Sequence, residues 1–202
     1  MYDNIIPLIL TNTFHLNETI SGAIMAADNV LALFLLPFFG ALSDRTNTKI
    51  GRRMPFILCG TVCAVVLMNL LPVFDNGYAA TGETGKLVLF VVTLGLLLVA
   101  MGTYRSPAVA LMPDVTPKPL RSRANAIINL MGAVGGILYL IMASVLYPNS
   151  KTAGLVHVNY RPLFIVVSVL MAVSVAMLYF TTNEPKLAAA EKEYEAAHPE
   201  QQ

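Results

Sequence analysis

The sequence predicts an all-α membrane protein, a six-span helical bundle whose first span is only partial. Three observations carry this. Of 202 residues, 56% are hydrophobic and 12% charged, with a mean hydropathy of +0.65, against roughly 25% charge in a soluble domain. The apolar residues fall into long runs separated by polar punctuation. The cations concentrate in alternate gaps between those runs. Segments this long and uninterrupted are helices rather than barrel strands, because in lipid each must satisfy its own backbone groups.

The first run, Ile5-Ile6-Pro7-Leu8-Ile9-Leu10, ends near Asn12. It is shorter than the roughly 20 residues a span needs, so it reads as the tail end of a span. No basic n-region precedes it in Met1-Tyr2-Asp3-Asn4, which argues against a signal peptide. An outer turn follows at 15–19. The full spans are expected at 20–42, 55–73, 87–111, 124–147 and 162–180. Pro55 falls in a first helical turn, where its missing N–H is harmless. Between the spans lie a tight charged hairpin at 43–54, a loop rich in Gly, Asp and Asn at 75–86, a second charged loop at 113–123 and a polar loop at 148–160. The bundle is expected to occupy 1–182. Residues 183–202 form a cytoplasmic tail or the start of a central loop, as a short helix or a disordered end, with Pro199 and the last glutamines fraying.

Nine cations sit on one side: Arg45, Lys49, Arg52, Arg53, Lys118, Arg121, Arg123, Lys186 and Lys192. The opposite loops hold Lys86, Lys151 and Arg161. The richer side is cytoplasmic, in a multi-pass protein of the plasma (inner) membrane. A net charge of +1 gives no sign of nucleic-acid binding. Cys59 and Cys63 lie in an apolar run and read as small packing residues, not as metal ligands. Asn17-Glu18-Thr19 fits a glycosylation sequon, a triplet common by chance. Gly22, Ala23, Ala26 and Ala27 in the second span, and Gly132, Gly135, Gly136 and Ala143 in the fifth, suit close helix approach in lipid.

Charge inside a span is expensive, and so it marks candidate function. Asp28, with Asn29 beside it, lies some eight residues into the second span. It either serves a solute or proton or pairs with another helix. Asp3 and Asn4 lie near the bilayer middle if the first span extends upstream, and otherwise form a polar terminus. Arg105, late in the fourth span, either snorkels to the interface or lines a cavity. Ser106-Pro107 next to it is expected to bend or loosen that helix. At the cytoplasmic ends, Asp44 with Arg45, Arg52 and Arg53, and Asp114 with Arg121 and Arg123, are placed to form a carboxylate–guanidinium latch. Setting topology alone needs those cations but not Asp44, Gly40 or Gly51. His15, His157 and His198 fall in outer loops or the tail and read as solvated.

Gly40-x-x-x-Asp44-Arg45 followed by Gly51-Arg52-Arg53 resembles the cytoplasmic signature between spans two and three of the major facilitator superfamily. The long form continuing through Met54-Pro55-Phe56-Ile57-Leu58 is similar to its glycoside–pentoside–hexuronide group, and to the sucrose-type proton symporters in particular. Pro107-Ala108-Val109-Ala110-Leu111-Met112-Pro113-Asp114, Arg121-Ser122-Arg123-Ala124-Asn125-Ala126 and Glu184-Pro185-Lys186 resemble that group's later segments. The resemblance covers nearly the whole chain as an amino-terminal half. It implies alternating-access symport of a sugar or glycoside with a cation, and a second half, or a second copy, to complete the site. The cation-binding acidic positions of the related sodium–melibiose permeases fall here at Ala32 and Leu36. A proton is therefore the expected coupling ion, with Asp28 one turn further out. The basic residue expected before the Ala-Leu pair is Val109 here, and Arg105 stands one turn earlier. No enzyme motif, metal cluster or cofactor is expected. The other reading is a non-transporting truncated or accessory membrane protein.

Overall fold

A computed structural model describes residues 2–148, 152, 155 and 157–198, with the side chains of Tyr2, Asp3 and Asp28 outside the description. The described residues form seven helices in order: α1 Tyr2–Asn12, α2 Glu18–Arg45, α3 Met54–Thr81, α4 Thr84–Val115, α5 Lys118–Leu146, α6 Arg161–Thr181 and α7 Glu184–Ala197. There is no strand among the described residues, only one bridge between Thr48 and Gly51. Helices α2 to α6 are long and apolar enough to cross a membrane.

Prolines open α3, α5, α6 and α7 within their first two positions, where the ring costs no helical hydrogen bond. The interior prolines do not break their helices. Helix α4 stays continuous through Pro107 and Pro113, so the expected loosening at Ser106-Pro107 does not interrupt it. The helices also outrun their apolar stretches. The 75–86 segment, expected as a loop, is mostly helix, and the α3–α4 turn is Gly82 and Glu83 alone. The 113–123 segment is likewise helical except at Thr116 and Pro117. Hydropathy falls where a helix leaves the hydrocarbon, but the backbone hydrogen bonds continue in water.

Antiparallel α3 and α4 form the central pair; α2 packs on α4, and α6 on α3. The core is built from Ile5, Ile6, Ile9 and Leu10 of α1, with Leu71 of α3, Phe90 and Leu97 of α4, and Leu163 and Phe164 of α6 closing around them. A polar tie joins α3 to α6: Asn69 Nδ2 donates to Ser168 Oγ at 2.7 Å, and Ser168 is buried. Such bonds hold helices together where lipid supplies no hydrophobic contrast. No residue in the apolar windows of α2 and α5 is fully buried. Cys59 and Cys63 are both exposed on α3, so they do not pack inside this bundle.

Candidate functional site

The Gly40–Arg53 signature folds into a lattice around Arg53, the residue just before α3. Arg53 is 6% exposed although it is charged, and every part of its guanidinium is used. Nε donates to Asp114 Oδ2 at 2.8 Å. Nη1 donates to Ser43 Oγ at 2.6 Å and to the Gly40 carbonyl at 3.4 Å. Nη2 pairs with Asp44. One planar cation therefore ties the ends of α2 and α4 to the start of α3. A planar fork of donors makes arginine the side chain able to do this. Gly40 lets α2 approach α4 closely, because a Cβ there would stand 2.9 Å from Ser106 Oγ.

A second carboxylate completes the arrangement. Glu184, at the start of α7, is 4% exposed. It accepts from the backbone N–H groups of Arg52 at 2.7 Å, Arg53 at 3.0 Å and Met54 at 2.9 Å. Those donors open α3 and have no carbonyl ahead of them in the helix, and the helix dipole favours a negative charge at that end. Gly51 makes this possible in two ways. Its φ of +118° is a conformation that L side chains rarely adopt, and a Cβ there would collide with the Glu184 carboxylate. Helix α7 is fastened again where Arg121 Nη2 meets Glu191 at 2.7 Å and Glu195 at 3.5 Å. The tail is thus a docked helix; Pro199 and the residues after it lie outside the described residues.

The structure brings Gly40, Asp44, Gly51, Arg52, Arg53 and Asp114 together, with Arg52 Nη2 at 3.9 Å from Asp114. Arg121 turns instead to α7. Arg45 and Arg123 are exposed and form no ion pair among the described residues. Arg45 lines an open cavity of about 490 Å³ with Arg52, Glu184 and Lys192. Ser43, Glu184 and Glu191 are the members that reasoning from sequence missed. Glu184 had been noticed only as part of an exit segment, and nothing local reveals that its partners lie some 130 residues earlier.

Among the described side chains expected within the spans, Asn4, Asn29 and Arg105 share no hydrogen bond or ion pair. Asn29 is exposed and bonds back to the Met25 carbonyl at 3.1 Å. Arg105 is exposed on α4. Asn4 is exposed and lies against the Tyr139 hydroxyl of α5. The side chains of Asp3 and Asp28 lie outside the described residues, though Asp28 sits within α2. On α5, Asn125 and Asn129 are exposed as well.

The family model for the Major Facilitator Superfamily matches residues 1–199. The chain belongs to the major facilitator superfamily. Among curated relatives of this superfamily chain, it is 31% identical over 140 residues to the sucrose transport protein SUC3 of Arabidopsis thaliana, covering 62% of this chain and 23% of that protein. The sucrose transport protein SUT3 of Oryza sativa subsp. indica is 26% identical over 212 aligned residues, covering 93% of this chain and 42% of that protein. The general alpha-glucoside permease of Schizosaccharomyces pombe is 30% identical over 130 residues, covering 60% of this chain and 23% of that protein. The chain thus spans less than half the length of these relatives. No solved structure matches it.

Proposed function

We propose that this chain is the amino-terminal half of a secondary active transporter that moves a sugar or glycoside together with a proton by alternating access. The observation that carries the reading is a set of polar side chains left uncovered within spans: Asn29 on α2, Arg105 on α4, and Asn125 and Asn129 on α5. Polar groups are costly against lipid, and they line cavities or partner faces in membrane proteins. Their amide and guanidinium donors suit hydroxyl-rich solutes. The relatives' names point to the same solute class. Such a solute would bind near the midplane between this half and a second half or second copy.

Asp28 is the residue proposed to carry the coupling proton, with Asp3 and Asn4 on the same path. The test is uptake of labelled sucrose and maltose into proteoliposomes holding the full gene product under an inward proton gradient. The expected result is accumulation that a protonophore abolishes and that falls to background in Asp28→Asn, with the protein still folded. Full accumulation by that variant removes Asp28 from the mechanism. The same gradient-driven uptake failing in the parent for every sugar would favour a non-transporting membrane protein.

Asp44 is the lattice member most open to solvent, its side chain 56% exposed, and with Arg45 it is available to a second half on the cytoplasmic side. Asp44→Ala is expected to slow turnover about tenfold while KM changes by less than about twofold, the pattern of a group acting on the conformational step. Equal turnover with poorer affinity would overturn the gating role.

A further inference from the structure

At the opposite end of the bundle, α3 carries Asp75 where a loop was expected. Asp75 is 0% exposed, and among the described residues neither of its oxygens accepts a hydrogen bond. Its nearest cationic group is His157, whose Nε2 lies 3.9 Å from Oδ2. His157 was read as solvated, but it is half-buried and held on both nitrogens. Nε2 is 2.7 Å from Asn76 Oδ1, and Nδ1 is 3.2 Å from Thr13 Oγ1. Thr13, just past α1, lies beside Asp75 too, and its hydroxyl is 3.2 Å from Nδ1: it accepts when that nitrogen carries a proton, leaving its O–H for Asp75, and it can donate to the ring when the nitrogen is bare.

The proton positions follow from a chain of backbone-anchored bonds. The Arg161 N–H donates to Asn159 Oδ1 at 3.0 Å, so that oxygen is an acceptor. Asn76 must then present its amide nitrogen to it, at 2.9 Å. Asn76 Oδ1 therefore faces His157, and Nε2 must carry a hydrogen to donate. What remains free to vary is a proton on Nδ1 or on Asp75. An ionised carboxylate cut off from water needs a cation or a donor. With one shared proton, the site is either a carboxylate beside an imidazolium or a carboxylic acid beside a neutral ring. Without it, a bare buried charge is left. A cavity of about 260 Å³ is lined by Thr13, His15, Tyr78 and His157, so the imidazole, though not the carboxylate, borders open space.

We propose that Asp75 and His157 form a proton-binding clasp on the outer side of the bundle: one proton shared between them fastens the His157–Tyr160 stretch onto α1 and α3, and losing that proton to the outer solution releases it. The clasp rests on these contacts and not on the transport reading. Among the described residues, the other titratable groups at this end are Glu18 at the start of α2, Tyr78 of α3, Glu83 and Lys86 at the α3–α4 turn, Tyr139 and Tyr147 of α5, Tyr160 and Arg161 at the start of α6, and His15. As a class, imidazoles are the side chains that change charge between about pH 5 and 8, so His15 must be removed from the test. Its φ of +51° suits asparagine as the replacement.

The experiment uses the whole chain in lipid nanodiscs with His15→Asn, Cys59→Ala and Cys63→Ala. Nitroxide labels are placed on cysteines at Leu155 and Ala80, both exposed. Dipolar distance distributions are compared at about pH 5.5 and about pH 8.5. The expected result is a narrow distribution at the lower pH that widens about twofold at the higher one. Asp75→Asn, whose amide has no charge to bare, should stay narrow at both. His157→Ala, with the tether gone, should be wide at both. A parent distribution indifferent to pH, or an Asp75→Asn variant that widens as the parent does, would overturn the clasp. Should Asp75→Asn not fold by circular dichroism, His157→Ala decides: a distribution still narrow at the lower pH refutes the proposal.

Discussion

Replacing Glu184 by alanine is expected to destabilise the bundle by about 3–5 kcal/mol, the range for leaving a buried charged hydrogen-bond system without one partner. The carboxylate is buried and serves three successive backbone donors, those of Arg52, Arg53 and Met54. Without it, the first turn of α3 would be left without that acceptor. Glu184→Gln should lose about half as much, because one amide oxygen still accepts but the amide N–H₂ faces donors. Unfolding in detergent micelles, followed by circular dichroism, measures both. A second comparison isolates the cause. Gly51→Ala pushes a Cβ into the same carboxylate, so its cost should shrink when Glu184 is already alanine, leaving mainly the strain of a left-handed alanine. An alanine variant at position 184 that unfolds with the parent's midpoint would remove the cap from the account.

Arg53→Lys is the second large effect, expected to cost about 2–3 kcal/mol despite the conserved charge. A lysine ammonium is a single point on a flexible stem. It can reach Asp114 or Asp44, but it cannot also hold the Ser43 hydroxyl and the Gly40 carbonyl as the guanidinium does. Arg53→Ala should cost more, about 3–5 kcal/mol, since Asp114 and Asp44 then both lose the buried cation that pairs with them, and only the more exposed Arg52 remains near Asp114. A double-mutant cycle with Asp114→Asn is expected to show a coupling of about 1–3 kcal/mol. A cycle with Arg123→Gln should show almost none, because Arg123 joins no ion pair among the described residues. Equal coupling in both cycles would mean that the lattice acts through net charge rather than through its geometry.

Much of the fold was legible because lipid demands it: long apolar runs had to be helices, and their number followed from the punctuation. What hydropathy could not supply was the helix ends. Asp75-Asn76-Gly77-Tyr78 looks like a loop by composition, yet α3 continues through it to Thr81. The lattice around Arg53 was half legible. Gly40, Asp44, Gly51 and Arg53 stand close together in sequence, at spacings that suggested a tight charged hairpin. Asp114 was suspected from its place at a span end. Glu184 and the Asp75–His157 pair were not readable, because each joins residues about 80 to 130 positions apart with no periodic signal between them. Arg45 and Arg123 carried the same charge as Arg53 and looked equivalent. Only the packing of α2 against α4 shows which cation is enclosed.

Helix α4 has 32 residues, which at about 1.5 Å each makes a rod of about 48 Å, well beyond the roughly 30 Å of hydrocarbon it crosses. Its inner end is stitched to α2, α3 and α7, so, on the alternating access proposed above, it would move with them as a stiff lever. A swing of about 10° displaces each tip by about 4 Å in opposite senses, by the same rise per residue. Under the transport reading proposed above, widening one mouth would narrow the other without any bond inside the knot having to break.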